Sequence, residues 1–131
     1  MATLIESLTA LAVFAVGSSA SAVWLAQSIT RTHEASTWLH ALAEVTELES
    51  RLRANPDGVR AGDYHYANPA PMSCAIGCSP RAIAQDDLYR FNTDIRRAVG
   101  RSAQGFARCV GQHCTVHVRW PSGGLDWGGL P

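Results

Sequence analysis

Read for apolar and polar positions, the chain changes its rule near residue 30 and again near residue 55. From Ser7 to Thr30 there are 24 residues without a charge, SLTALAVFAVGSSASAVWLAQSIT, in which Leu, Ala, Val, Phe, Trp and Ile are interrupted only by small hydroxyls, Gly17 and Gln27. Wound as a helix rising about 1.5 Å per residue, this run spans roughly 36 Å, enough for a bilayer core of about 30 Å. A secretory signal peptide needs a basic start and a shorter apolar stretch, and Met1 to Ile5 carry no Lys or Arg. Beyond Thr30 the pattern becomes periodic. Trp38, Leu42, Val45, Leu48 and Leu52 recur at steps of three and four, with Arg31, Glu34, Glu44, Glu47, Glu49, Arg51 and Arg53 between them. That is an amphipathic helix with one buried stripe. No proline occurs before Asn55-Pro56, and the residue before a proline disfavours helix. The prediction is one helix over residues 3–54, apolar all round in 1–30 and on one side in 31–54, followed by a small domain over 55–131.

Two features set the first segment apart from a plain anchor. Glu6 stands alone inside the apolar run TLIESLTAL. A carboxylate at that depth is costly unless it is paired, used, or placed at the interface by the positive helix N-terminus. The middle, Gly17-Ser18-Ser19-Ala20-Ser21, has poor helix propensity and reads either as a small-residue packing face or as a hinge.

In the C-terminal part, residues 55–79 are dense in Gly, Pro, Asn and Asp and read as a long loop. Ser79-Pro80 supplies a helix start, Ile83, Leu88, Phe91, Ile95 and Val99 its apolar stripe, and Gly100 its stop. Two strand-like runs follow, 105–110 and 115–120. In the second, Val116, Val118 and Trp120 face one way and His117 and Arg119 the other. The tail PSGGLDWGGLP is Gly-rich, with Trp127 and Leu130 as its anchors.

Composition narrows the function classes. Eleven basic residues, all Arg, balance eleven acidic ones, and no basic run grips a phosphate backbone. The four cysteines fall in two close pairs, Cys74/Cys78 and Cys109/Cys114. Outside the cytoplasm they read as two disulfides, the second stapling a hairpin across its turn; inside, with His113 or His117, as zinc ligands. Their C-x3-C and C-x4-C spacings match common zinc patterns poorly, and a membrane segment that places the domain outside favours disulfides. Only 77 residues follow Ala54, a size at which staples matter. Five histidines (His33, His40, His65, His113, His117) and the pair Asp86-Asp87 are present, but no nucleophile elbow, phosphate loop or HExxH spacing. No enzyme activity, cofactor or metal is expected.

Taken together, these residues resemble the type IV pilin superfamily. Its signature is a cleaved Gly-Phe junction leading into Thr-Leu-Ile-Glu and an apolar helix, matched here by Thr3-Leu4-Ile5-Glu6 and SLTALAVFAVG. RLRANPDGVRAGDY (51–64), CSPRAIAQDDLYRFN (78–92) and VHVRW (116–120) look like the PilV-type minor pilins, or type IV pilus modification proteins, a similarity covering roughly residues 3–121. The resemblance implies an α+β, pilin-like fold: a long N-terminal helix on a small antiparallel sheet, a second short helix and disulfide-stapled loops. It implies a life cycle too. A precursor waits in the inner membrane with its domain in the periplasm and is trimmed by a prepilin peptidase. Through an inner-membrane assembly platform, its apolar helix half then passes into the core of an extracellular pilus. Implied partners are other minor pilins, the major pilin and a PilY-type adhesin, in a priming complex at the tip that supports adhesion or twitching motility.

By the same resemblance Glu6 steers subunit assembly by meeting a neighbour's α-ammonium. Met1 takes the Gly position of leader cleavage and Ala2 that of the N-methylated first residue. The family pattern has a basic leader, Gly and then Phe, whereas this chain reads Met1-Ala2. A leader already cut away, a start further upstream, or Ala2 standing in for Phe each account for the difference. Two other readings share the same helix: a minor pseudopilin of a type II secretion system, and a single-pass membrane protein that never polymerises.

Overall fold

The computed structural model describes residues 3–65, 69–73 and 77–128. The chain divides into two units, Met1–Ser36 and Thr37–Pro131. Helix α1 runs Leu4–Ala54, as its uninterrupted helix-compatible sequence predicts. In the first unit its described side chains are exposed, apart from half-buried Ser28.

In the second unit the same helix has a buried row, Ala41, Val45, Leu48 and Leu52, spaced so that all four lie on one face. Leu42 is partly buried beside it, but Trp38 is 42% exposed. The stripe expected from Trp38 onward therefore starts at Ala41, with Thr37 half-buried one turn before it. A short helix, α2 (Pro56–Arg60), occupies what the sequence presents as loop. Asn55 caps it by accepting from the Gly58 amide at 3.2 Å, and Pro56 takes the first position, where no donor is needed.

Helix α3 (Pro80–Ala98) starts as expected, with the Ser79 hydroxyl accepting from the Ala82 amide at 3.2 Å. It ends ahead of Gly100, whose φ of 139° is open to glycine. Ala84, Leu88, Phe91 and Ile95 face the core. Ile83, expected among them, is exposed, and Val99 is only half-buried; Ala84 holds the buried position in that first turn.

Strands β1 (Gln104–Val110), β2 (His113–Trp120) and β3 (Gly123–Gly128) form an antiparallel sheet in chain order. Val110 pairs with His113 across a two-residue turn that begins at Gly111, φ 64°. Directly behind that turn Cys109 faces Cys114, and the two form a disulfide. The third strand adds to the two strand-like runs expected and lies in the Gly-rich tail. Gly-rich sequence disfavours strand, yet Leu125 pairs with Val118 and is buried, while Trp127, expected as an anchor, pairs with Val116 and stays 38% exposed. Leu130, the other expected anchor, lies outside the described residues. Gly105 lets α3 approach β1, since a Cβ there would run into the Phe91 ring. One α+β core results, filled by the α1 row, α3 and the inward faces of β1 and β2.

Candidate functional site

Of the residues singled out in sequence, Glu6 has the most defined surroundings. Thr3 precedes the first turn of α1, and its amide donates to Glu6 Oε2 at 2.8 Å and its hydroxyl to the same oxygen at 3.2 Å. In return the Glu6 amide reaches Thr3 Oγ1 at 3.4 Å. This is a capping box, in which the Glu6 carboxylate satisfies the Thr3 amide and the Thr3 hydroxyl the Glu6 amide, two otherwise unpaired N-terminal donors. A negative group there also opposes the positive end of the helix. Met1 and Ala2, the implied cleavage and methylation positions, lie outside the described residues.

Behind that cap the helix presents apolar side chains in all directions. Leu8, Leu11, Val13, Phe14, Val16, Val23, Trp24, Leu25 and Ile29 are each more than half exposed. The hydroxyls among them turn inward. Thr9 donates to the Ile5 and Glu6 carbonyls at 3.0 Å, Ser18 to Ala15 at 3.1 Å, Ser19 to Val16 at 2.8 Å and Ser21 to Gly17 at 2.9 Å. Thr30 donates to Ala26 at 3.0 Å. Self-satisfied hydroxyls cost little in a medium without water. The Gly17–Ser21 stretch stays helical throughout. By length and composition α1 is long and apolar enough to cross a membrane.

The cysteines divide. Cys109 and Cys114 are joined to each other, which takes both sulfurs out of any ligand set. Cys78 is disulfide-bonded, and Cys74, its expected partner, lies outside the described residues. Among the described residues no group of three His, Cys, Asp or Glu side chains is placed to hold a metal.

A polar network that sequence reasoning missed joins two of the segments carrying the pilin resemblance. Asn55, 5% exposed, donates through Nδ2 to the Pro80 carbonyl at 2.8 Å and to the Tyr64 hydroxyl at 3.2 Å. The Tyr64 hydroxyl donates in turn to Asp87 Oδ2 at 2.9 Å, and Arg51 lies 4.0 Å from the other oxygen of Asp87. Burial raises the pKa of both Tyr64 and Asp87. Gly58 is held to glycine here, because a side chain would strike Asn55. Asp86 and Asp87 thus act apart: Asp86 pairs with Arg90 and receives the Met72 amide, while Asp87 completes the buried network. The signal in sequence was the pair of turns at Asn55-Pro56 and Ser79-Pro80, which had to be closed by something.

On the solvent side of the sheet, Phe106, His117 and Asp126 lie in one row across the three strands. The Phe106 and His117 rings stack at 4.8 Å, and His117 Nδ1 lies 2.7 Å from Asp126 Oδ1. Arg119 also reaches that oxygen at 2.7 Å, and chiefly through it the Asp126 carboxyl is held down to about 2. These are cross-strand pairs that fix register. Comparison with protein-family models, curated proteins and solved structures finds no match for the chain.

Proposed function

We propose that this chain is a type IV pilin-like minor subunit, a structural protein of the PilV type that works in the priming complex at a pilus tip and does no chemistry. The observation that carries the reading is the exposed, apolar surface of residues 4–30, joined to a unit with a core of its own. Such a surface has to be covered by lipid or by other helices. A subunit that leaves the inner membrane for a filament core needs both in turn. The single acid at its start, Glu6, is the group that tells one axial register from another, by meeting the α-ammonium of the next subunit. Other minor pilins, the major pilin and a PilY-type adhesin are its partners on this reading. The prepilin peptidase and the inner-membrane assembly platform act on it before assembly.

The test is mass spectrometry of sheared surface filaments from cells carrying the native chain, Glu6→Gln or Glu6→Ala. The native chain is expected in the filament fraction and both variants only in the membrane. A native chain that stays in the membrane fraction while filaments form normally would sink the reading in favour of a non-polymerising membrane protein. Recovery in a secretion complex instead would identify a pseudopilin. Unchanged incorporation of Glu6→Gln would remove the role given to its charge.

A further inference from the structure

Asp57-Gly58, in α2, is the one Asp-Gly step in the chain, and the chain has no Asn-Gly step. At such a step the glycine amide nitrogen can attack the aspartate Cγ, because no side chain shields it. The nitrogen gives up its proton, the carboxyl loses one oxygen as water, and a five-membered imide closes. Water then reopens the ring. Opening at the side-chain carbonyl restores aspartate, whereas opening at the main-chain carbonyl leaves isoaspartate, with the chain rerouted through Cβ and Cγ. No electrons change hands, and one water leaves and one returns.

The surroundings of this bond work against the reaction. Both polar ends of the peptide unit are held: the Gly58 amide donates to Asn55 Oδ1 at 3.2 Å, and the Asp57 carbonyl accepts from the Ala61 amide at 3.0 Å. Just beyond, the Gly58 carbonyl accepts from the Asp63 amide at 2.9 Å. Ring closure needs Asp57 Cβ and the Gly58 nitrogen eclipsed about the Cα–C bond, and a helical ψ of about −42° keeps them roughly 80° apart. Arg60 engages the Asp57 carboxylate, the less electrophilic form of that group. Asn55 is itself anchored by the Pro80 carbonyl and the Tyr64 hydroxyl. Nor can position 58 carry a side chain: a Cβ there would lie 2.4 Å from Asn55 Nδ2 and 3.0 Å from the Pro80 oxygen. The cap that imposes glycine, and with it the labile step, is also what covers that step.

We infer that Asp57-Gly58 is a latent site of isoaspartate formation, held shut by the Asn55 cap. Conversion has to wait for α2 to open locally, since the closed form offers neither a free amide nor the required rotation. Once made, isoaspartate unseats the cap, because the added main-chain carbon displaces the Gly58 amide from Asn55 Oδ1. The buried bonds from Asn55 to Pro80 and Tyr64 then lose the turn that positions them. The inference concerns only the second unit and is independent of what covers α1.

The test ages the full chain in detergent, warm and at neutral pH. Trypsin then cuts after Arg53 and Arg60, and the released peptide 54–60 is scored for isoaspartate by mass spectrometry with electron-transfer fragmentation. The native chain is expected to convert at least about tenfold more slowly than the same chain unfolded in urea, the suppression that two ordinary hydrogen bonds place on local opening. Asn55→Ala is expected to convert at least about fivefold faster than native, through loss of the cap. Asn55→Ser loses the same anchors but keeps a capping oxygen, and is expected within about twofold of native. Should Asn55→Ala lose its near-UV circular dichroism, Tyr64→Phe replaces it, with Asn55 freed from one anchor and conversion about threefold faster than native. A native chain that converts as fast as the unfolded one overturns the inference. So does a folded Asn55→Ala, or Tyr64→Phe in its place, that converts at the native rate, and so does Asn55→Ser matching Asn55→Ala.

Discussion

The stretches 4–36 and 37–54 belong to one helix, α1, but obey different rules. In the later stretch apolar residues occupy one row and the row is buried: Ala41 and Val45 at 0%, Leu48 at 1%, Leu52 at 3%. In the earlier stretch apolar residues take every direction and none is buried. Helical backbone geometry is common to both, so the difference lies in what the side chains are for. One face of a helix is enough to join a core, whereas a helix apolar all round needs apolar surroundings on every side.

The same substitution in the two stretches should therefore have opposite weight. Leu48→Ala is expected to destabilise the second unit by about 2–5 kcal/mol, the usual cost of emptying a core leucine site. Leu11→Ala should leave that stability unchanged. Denaturant unfolding followed by near-UV circular dichroism in detergent decides it; equal effects would erase the distinction. Replacing Cys109 and Cys114 by serine together should cost about 2 kcal/mol, at the low end for disulfides because the loop is short, and the melting temperature is the readout.

Tyr64→Phe follows at roughly 1–2 kcal/mol, since it removes a partner from both buried Asn55 and Asp87. A silent substitution would mean that the network does not hold the Asn55 and Ser79 turns together. The smallest effect belongs to Glu44, whose carboxyl is raised above its ordinary 4.5 first by burial and then by Asp94 and Glu47. A raised carboxyl adds stability below its unfolded pKa and loses it as pH rises through the folded value. Glu44→Gln is therefore expected to stabilise at pH 7 by under ~1 kcal/mol and to give no gain near pH 3. A gain that is constant with pH would exclude titration as its cause.

Much of this fold is legible from residues alone, and the exceptions have physical reasons. The C-terminal end of α1 and the start of α3 follow from Asn55-Pro56 and Ser79-Pro80, because proline and a capping side chain act locally. The hairpin and its disulfide follow from alternation and spacing around Gly111. Strand β3 was not legible. Its glycines carry no strand preference, and it exists because Val116 and Val118 present a sheet edge to Leu125 and Trp127. Trp127 is fastened further by donating to Glu49 at 3.2 Å, a contact 78 residues distant in sequence. For the candidate site, Glu6 stands out in sequence because it is the one charge before Arg31. Its engagement by Thr3 is the capping-box spacing, which also predicts that glutamine in its place keeps the cap. That is why Glu6→Gln isolates charge, whereas Glu6→Ala removes cap and charge together.

The inward-turned hydroxyls of α1 decide what the helix asks of its surroundings. From Thr9 to Ala26 every serine and threonine gives its proton to a carbonyl of its own helix, and the Trp24 indole is the one other side-chain donor there. Along about 27 Å of axis, whatever covers this stretch has to supply apolar contact and almost no polar partner. Gln27, which lines the hollow of Ser19 and Ala20 beside Trp24, is the first side chain beyond it that carries both a donor and an acceptor.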